Sequence, residues 1–131
     1  MPSPAQDPKS VPESGPGSAA TGDKDFESAL AEIDWAELQD FFLDHLSGQL
    51  GEMDGFLRKR DTQALYRIGH GLKGSGGGVQ LPRFTELGAV LENAGKKGDL
   101  TAVRLACLSI RSEYLKHRPQ EAERVKHLFE S

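Results

Sequence analysis

His70 is followed by Lys73 and then by Gly74. In a helix, positions i, i+3 and i+4 are neighbours on one face. A nucleophilic imidazole, a fixed positive charge and a missing side chain would then share one patch. Such a patch suits a phosphoryl group passed between proteins. The imidazole takes the group, the ammonium steadies its oxygens, and the glycine leaves room for the partner.

The elements that must hold this patch read as helices throughout. Phe26, Leu30 and Ile33 recur at helical spacing and predict a short lead-in helix. Asp34-Trp-Ala-Glu37 has the form of a capping box, with Ile33 and Leu38 set for a hydrophobic staple. Leu38, Phe41, Phe42, Leu46, Leu50, Met53 and Leu57 then mark a long amphipathic helix, ending in the polar run Arg58-Lys-Arg-Asp61. Asp61 can cap a second helix, whose apolar stripe is Leu65, Ile68, Leu72 and Val79. Gln63, Arg67, His70, Lys73, Gly74 and Gly77 fall on its other side, which puts His70 toward solvent.

Pro82 fits the first turn of a third helix, carrying Phe84, Leu87, Leu91 and Ala94 up to Gly95-Lys-Lys-Gly98. Asp99 caps a fourth, with Val103, Ala106, Cys107, Ile110 and Tyr114 facing inward and Leu105, Leu108 and Leu115 widening the arc. A short last helix, roughly 120–129, can cover it with Val125, Leu128 and Phe129. No strand-length alternation occurs. Short connections favour antiparallel neighbours, so the predicted fold is all-α: an antiparallel up-down four-helix bundle with a short lead-in helix and a short C-terminal helix.

Gly69, Gly71, Gly74, Gly76, Gly77 and Gly78 crowd the second helix. At about 0.8–1 kcal/mol each relative to Ala, they lower its intrinsic helix preference by roughly 4–6 kcal/mol. A purely structural helix has no reason to carry that load. Gly69 and Gly76, on the buried side, suit close helix packing. Gly74 and Gly77, beside His70, keep the surface open for another protein. The competing expectation is that the helix stops near Lys73 and a loop follows.

Residues 1–23 are rich in Pro, Ser, Gly and Ala and too poor in large apolar side chains to offset the entropy of ordering. They are expected to be a disordered leader or linker, with the folded domain spanning 24–131. The formal charge of -4 disfavours bulk nucleic-acid binding. No apolar run approaches the roughly 18 residues of a membrane span, and the N-terminus lacks a signal-peptide core. Cys107 is the single cysteine, which excludes an internal disulfide and fits a reducing, cytoplasmic compartment. In its apolar stripe it reads as a small core residue. His45, His117 and His127 have no metal-ligand spacing with one another or with His70. His45 is expected at the edge of the first apolar stripe, and the C-terminal pair in solvent. Ser75 is expected near the core side, without a base to activate it. Trp35 reads as a packing residue at a helix start, and Arg58-Lys59-Arg60 as a solvated helix end.

His70-Gly-Leu-Lys-Gly-Ser resembles the H-x-L-K-G-S signature of histidine-containing phosphotransfer (HPt) domains of two-component phosphorelays. Phe84, Leu87, Leu91 and Glu92 fall where that family's next helix has apolar positions and a common glutamate. Lys97-Gly98-Asp99 matches its usual break before the last helix. The likeness covers about residues 34–117. Gln80 departs from it, standing where the family often has Gly, and so does the run Gly76-Gly77-Gly78, which replaces more usual Ser or Ala.

The resemblance implies a phosphocarrier in which His70, through Nε2, exchanges a phosphoryl group with receiver-domain aspartates of response regulators or hybrid kinases. Lys73 would neutralise the phosphoryl oxygens, and Gly74, Gly77, Arg67 and Gln63 would meet the partner. Mg²⁺ would arrive on the receiver, so this chain needs no cofactor or metal of its own. Lys73-Gly-Ser lacks the order of a phosphate-cradling loop, and no nucleotide-binding motif is present, which argues against a kinase. A monomer without nucleic-acid or membrane partners is expected. The alternatives are a bundle that binds a receiver or kinase without carrying phosphate, and a structural adaptor in which the motif is coincidental.

Overall fold

The computed structural model describes residues 27–130. The leader expected over 1–23 and Phe26 of the lead-in helix lie outside them. A short helix over 27–32 belongs to a unit separate from the bundle, which starts at Trp35. The bundle's main helices are α1 (Trp35–Arg58), α2 (Thr62–Gly78), α3 (Pro82–Lys97) and α4 (Leu100–His117). A 3₁₀ turn (Pro119–Glu121) and the single-turn α5 (Ala122–Val125) follow, shorter than the helix expected there. No strand occurs among the described residues.

The boundaries follow from local chemistry. Asp61 and Asp99 each accept a hydrogen bond from the backbone N–H three residues on, at 3.0 Å, and so start α2 and α4. Pro82 opens α3, where its missing N–H costs no helical bond. Helices α1, α2 and α3 all close on a left-handed residue, with a backbone bond reaching back five residues: Asp61 to Phe56, Leu81 to Gly76 and Asp99 to Ala94. The left-handed residues are Arg60, Gln80 and Gly98, with φ of 60°, 62° and 69°. Only the last is glycine. An L-residue there costs about 1–2 kcal/mol, and glycine loses about half of that in backbone entropy. Gln80→Gly is therefore expected to raise stability by about 0.5–1 kcal/mol, read by chemical denaturation. An unchanged or lowered midpoint would show that the Gln80 side chain contributes more than its backbone strain costs.

The core runs the length of the bundle: Leu46, Leu50 and Met53 of α1, Leu65 and Leu72 of α2, Phe84 and Leu91 of α3, and Val103, Ile110 and Tyr114 of α4. Val125, Leu128 and Phe129 close it, as their spacing predicts. Cys107 is fully buried, and burial, with Asp54 nearby, pushes its thiol up to about 12, so it is unreactive near neutral pH.

Several expected core positions face outward instead. Phe41 is 75 % exposed, Leu105 59 % and Leu38 40 %. Phe41 and Phe42 are about 100° apart around the helix, so one face cannot take both. Phe42 and Leu43 take the core side. Ser75, expected near the core, is exposed.

Helices α2 and α3 approach unusually closely, and glycine is the reason. A Cβ on Gly69 would stand 2.5 Å from the Glu92 nitrogen, and one on Gly88 2.5 Å from the Lys73 nitrogen. Cβ atoms on Gly76 and Gly95 would come within 2.9 Å of Thr85 N and 2.8 Å of Tyr66 N. The glycines are seven residues apart on each helix, two turns, so they form one continuous seam. The expectation that Gly69 and Gly76 serve packing holds, and α2 runs on past Lys73 to Gly78. Gly71, Gly74 and Gly78 face open space.

Candidate functional site

The seam brings the backbone of Glu92 beside α2, and its side chain reaches the outer face. Its Oε2 lies 2.8 Å from His70 Nδ1, and its Oε1 lies 2.7 Å from Lys73 Nζ. One carboxylate thus bridges the two residues that the sequence places on one patch. Lys73 and His70, through hydrogen bonding and charge, hold the Glu92 carboxyl below its usual range. A carboxyl lowered in this way contributes stability above its ordinary value of 4.5, and that contribution is lost as pH falls through the lowered folded value. At neutral pH Glu92 is ionised.

An ionised carboxylate only accepts hydrogen bonds. His70 Nδ1 must then carry the proton and donate it, which leaves the lone pair of the neutral ring on Nε2. The His70 side chain is 67 % exposed, against 15 % for Glu92. The Tyr66 ring lies alongside the imidazole, with centroids 6.5 Å apart and planes inclined by 26°. The ring is thus held at Nδ1 by Glu92 and flanked on one side by Tyr66. Lys73, 43 % exposed, adds a positive charge beside it.

The other site residues expected from the sequence share this surface. Gln63, Arg67, Gly74 and Gly77 are all exposed on α2. A Cβ on Gly77 would meet only Thr85 Oγ1, at 3.3 Å. The remaining histidines stand elsewhere. His45 is exposed on α1, and His127 is exposed near the C-terminus. His117 is not simply solvated: its Nε2 lies 3.6 Å from Glu113 and its ring 5.8 Å from that of Phe84. No group of His, Cys, Asp or Glu among the described residues could hold a metal ion.

The Hpt domain family model matches residues 37–130. The chain belongs to the Hpt domain family. No curated protein and no solved structure matches it. Membership implies histidine phosphotransfer in two-component systems, a carrier role rather than that of a conventional enzyme. The Hpt match starts two residues into α1 and takes in the rest of the four main helices and the C-terminal turn. No helix among the described residues is long and apolar enough to cross a membrane. Within this Hpt domain, the sequence points to His70 and Lys73 but gives Glu92 no role beyond a matching position. The signal that would have found it is the glycine pair on each of α2 and α3, which fixes how the two helices face.

Proposed function

We propose that this chain is a phosphorelay carrier in which His70 Nε2 exchanges a phosphoryl group with receiver-domain aspartates, acting as a cytoplasmic monomer. The observation that carries this reading is the Glu92 bridge to His70 Nδ1 and Lys73 Nζ. In the forward step the Nε2 lone pair attacks the phosphorus of an aspartyl phosphate. The N–P bond forms, the O–P bond breaks, and the aspartate leaves as carboxylate. The ring becomes cationic while Nδ1 keeps its proton, and Glu92 offsets that charge. The reverse step returns the phosphoryl group and restores the neutral ring. The transition state is loose, so positioning and electrostatics carry most of the catalysis. Lys73 is close enough to turn from Glu92 toward the phosphoryl oxygens, where a charge-assisted bond is strongest. Mg²⁺ belongs to the receiver.

An apolar groove of about 380 Å³ supports a docking surface next to this site. Leu38, Phe41 and Phe42 of α1 and Val79 line it, together with Ser75 and Gly78. Gly78 continues the stripe of His70 and Gly74 at intervals of four residues. A receiver seated over His70 would cover this stripe and take up the exposed Phe41 ring.

The two halves of the proposal separate in one experiment with phosphorylated receiver domains. Phe41→Ser is expected to weaken receiver binding by about tenfold or more, as loss of a central aromatic anchor does, with near-normal transfer at saturation. Glu92→Gln and Lys73→Ala are expected to slow transfer at saturation by about tenfold or more while binding changes little. Transfer at the wild-type rate in both Glu92→Gln and Lys73→Ala would remove the bridge from the mechanism.

A further inference from the structure

At the end of the bundle where α1 finishes and α4 begins, a cleft of about 360 Å³ opens between the two helices and the C-terminal segment. That volume is within the range of small-molecule sites, about 300–1,000 Å³. Leu57 and Leu100, both half-buried, form part of its wall. Three arginines also line it: Arg58, Arg60 and Arg104. This is against the grain of a chain with a formal charge of -4. The sequence alone makes Arg58-Lys59-Arg60 a solvated helix end; the fold turns part of it into a cleft wall.

Among the described residues that line the cleft, three arginines stand against two carboxylates, Asp54 and Glu130. Asp54 is committed: one oxygen holds Arg58 Nε at 3.0 Å, and the other accepts the Phe129 N–H at 2.9 Å. Glu130, the second carboxylate of the cleft, lies 3.7 Å from Arg111. Arg60 and Arg104 make no ion pair or side-chain hydrogen bond among the described residues, and Arg104 is half-buried. Arg60 also occupies the left-handed position that ends α1, where glycine would cost less.

We infer that this cleft is a binding site for a small organic phosphate, with the phosphate between Arg60 and Arg104 and the organic body against Leu57 and Leu100. Guanidinium groups match phosphate oxygens with paired N–H donors, and two unpaired ones facing a common space are suited to one dianion. A volume of about 360 Å³ suits a small ligand rather than an extended acidic peptide. The site uses none of the residues of the His70 patch, so the cleft can bind a ligand whether or not that patch is a phosphoacceptor.

The test is a titration of the full, isotopically labelled chain with AMP at constant ionic strength, followed by backbone amide shifts. Sodium sulfate, pyrophosphate and a glutamate-rich peptide serve as parallel titrants. The inference expects saturable shifts at Arg60, Leu100, Thr101 and Arg104 with a Kd of about 1 mM or tighter, and none at His70 or Lys73. Arg60→Gly, which relieves the backbone and so keeps the fold, is expected to weaken AMP binding by about tenfold, and Arg104→Gln likewise. Absence of saturable AMP shifts overturns the inference. So does AMP binding of wild-type strength in both variants, or equal shifts with sulfate. Binding of pyrophosphate without AMP overturns the organic body, and binding of the acidic peptide alone overturns the small ligand.

Discussion

Replacing His70 with Gln is expected to abolish phosphoryl acceptance while the helical bundle stays folded. The imidazole is mostly in solvent and fills no part of the core, so its loss removes one hydrogen bond to Glu92 and one ring contact with Tyr66. Exposed substitutions of this kind usually change stability by about 0.5 kcal/mol or less. Chemically the loss is complete, because glutamine has no ring nitrogen to form the N–P bond. Transfer assays run beside circular dichroism check both halves. Undiminished labelling of the variant would contradict the assignment, and labelling at His45, His117 or His127 would move the site.

The second large effect separates two kinds of glycine. Gly88→Ala places a methyl group 2.5 Å from the Lys73 backbone nitrogen, and the nearby atoms are main chain that cannot simply swing aside. Alanine is the better helix former by about 1 kcal/mol, but overpacking at a seam costs more, and a net loss of about 1–3 kcal/mol is expected. Prying α3 from α2 also draws Glu92 away from His70 and Lys73, so transfer should fall with stability. Gly74→Gln is expected to do the opposite. Its Cβ enters open space, so stability should hold or rise by several tenths of a kcal/mol, while the added side chain blocks receiver docking. Melting temperature and receiver affinity, measured on both variants, decide the matter. If Gly88→Ala is neutral, the close seam is not what holds Glu92 in place. If Gly74→Gln unfolds, the open face beside His70 is wrong.

Much of this arrangement is legible in the sequence because it depends on local rules. Asp61, Pro82 and Asp99 start their helices by capping chemistry that needs no tertiary partner. Placing His70, Lys73 and Gly74 on one face needs only a helix, and α2 is helical through all of them. What periodicity cannot supply is rotation of one helix against another. It puts Phe41 and Leu105 beside core residues without saying which member of a wide apolar arc wins the interior, and both are exposed. It leaves Ser75 on the wrong side of α2 for a similar reason. Glu92 is the most consequential case. Its role depends on how closely α3 approaches α2, a distance set by Gly69, Gly76, Gly88 and Gly95 together. The left-handed φ of 62° at Gln80 gives a physical reason to expect glycine at that position.

In the proposed mechanism Glu92 fixes the protonated nitrogen of His70 and thereby selects Nε2 as the phosphoacceptor. The most direct measurement is ³¹P NMR, with peptide mapping, of the wild-type chain after incubation with a phosphorylated receiver domain. An acid-labile, base-stable phosphohistidine at residue 70, carrying the phosphoryl group on Nε2, is the predicted result. Phosphate on Nδ1, on another histidine or nowhere in the chain would contradict it.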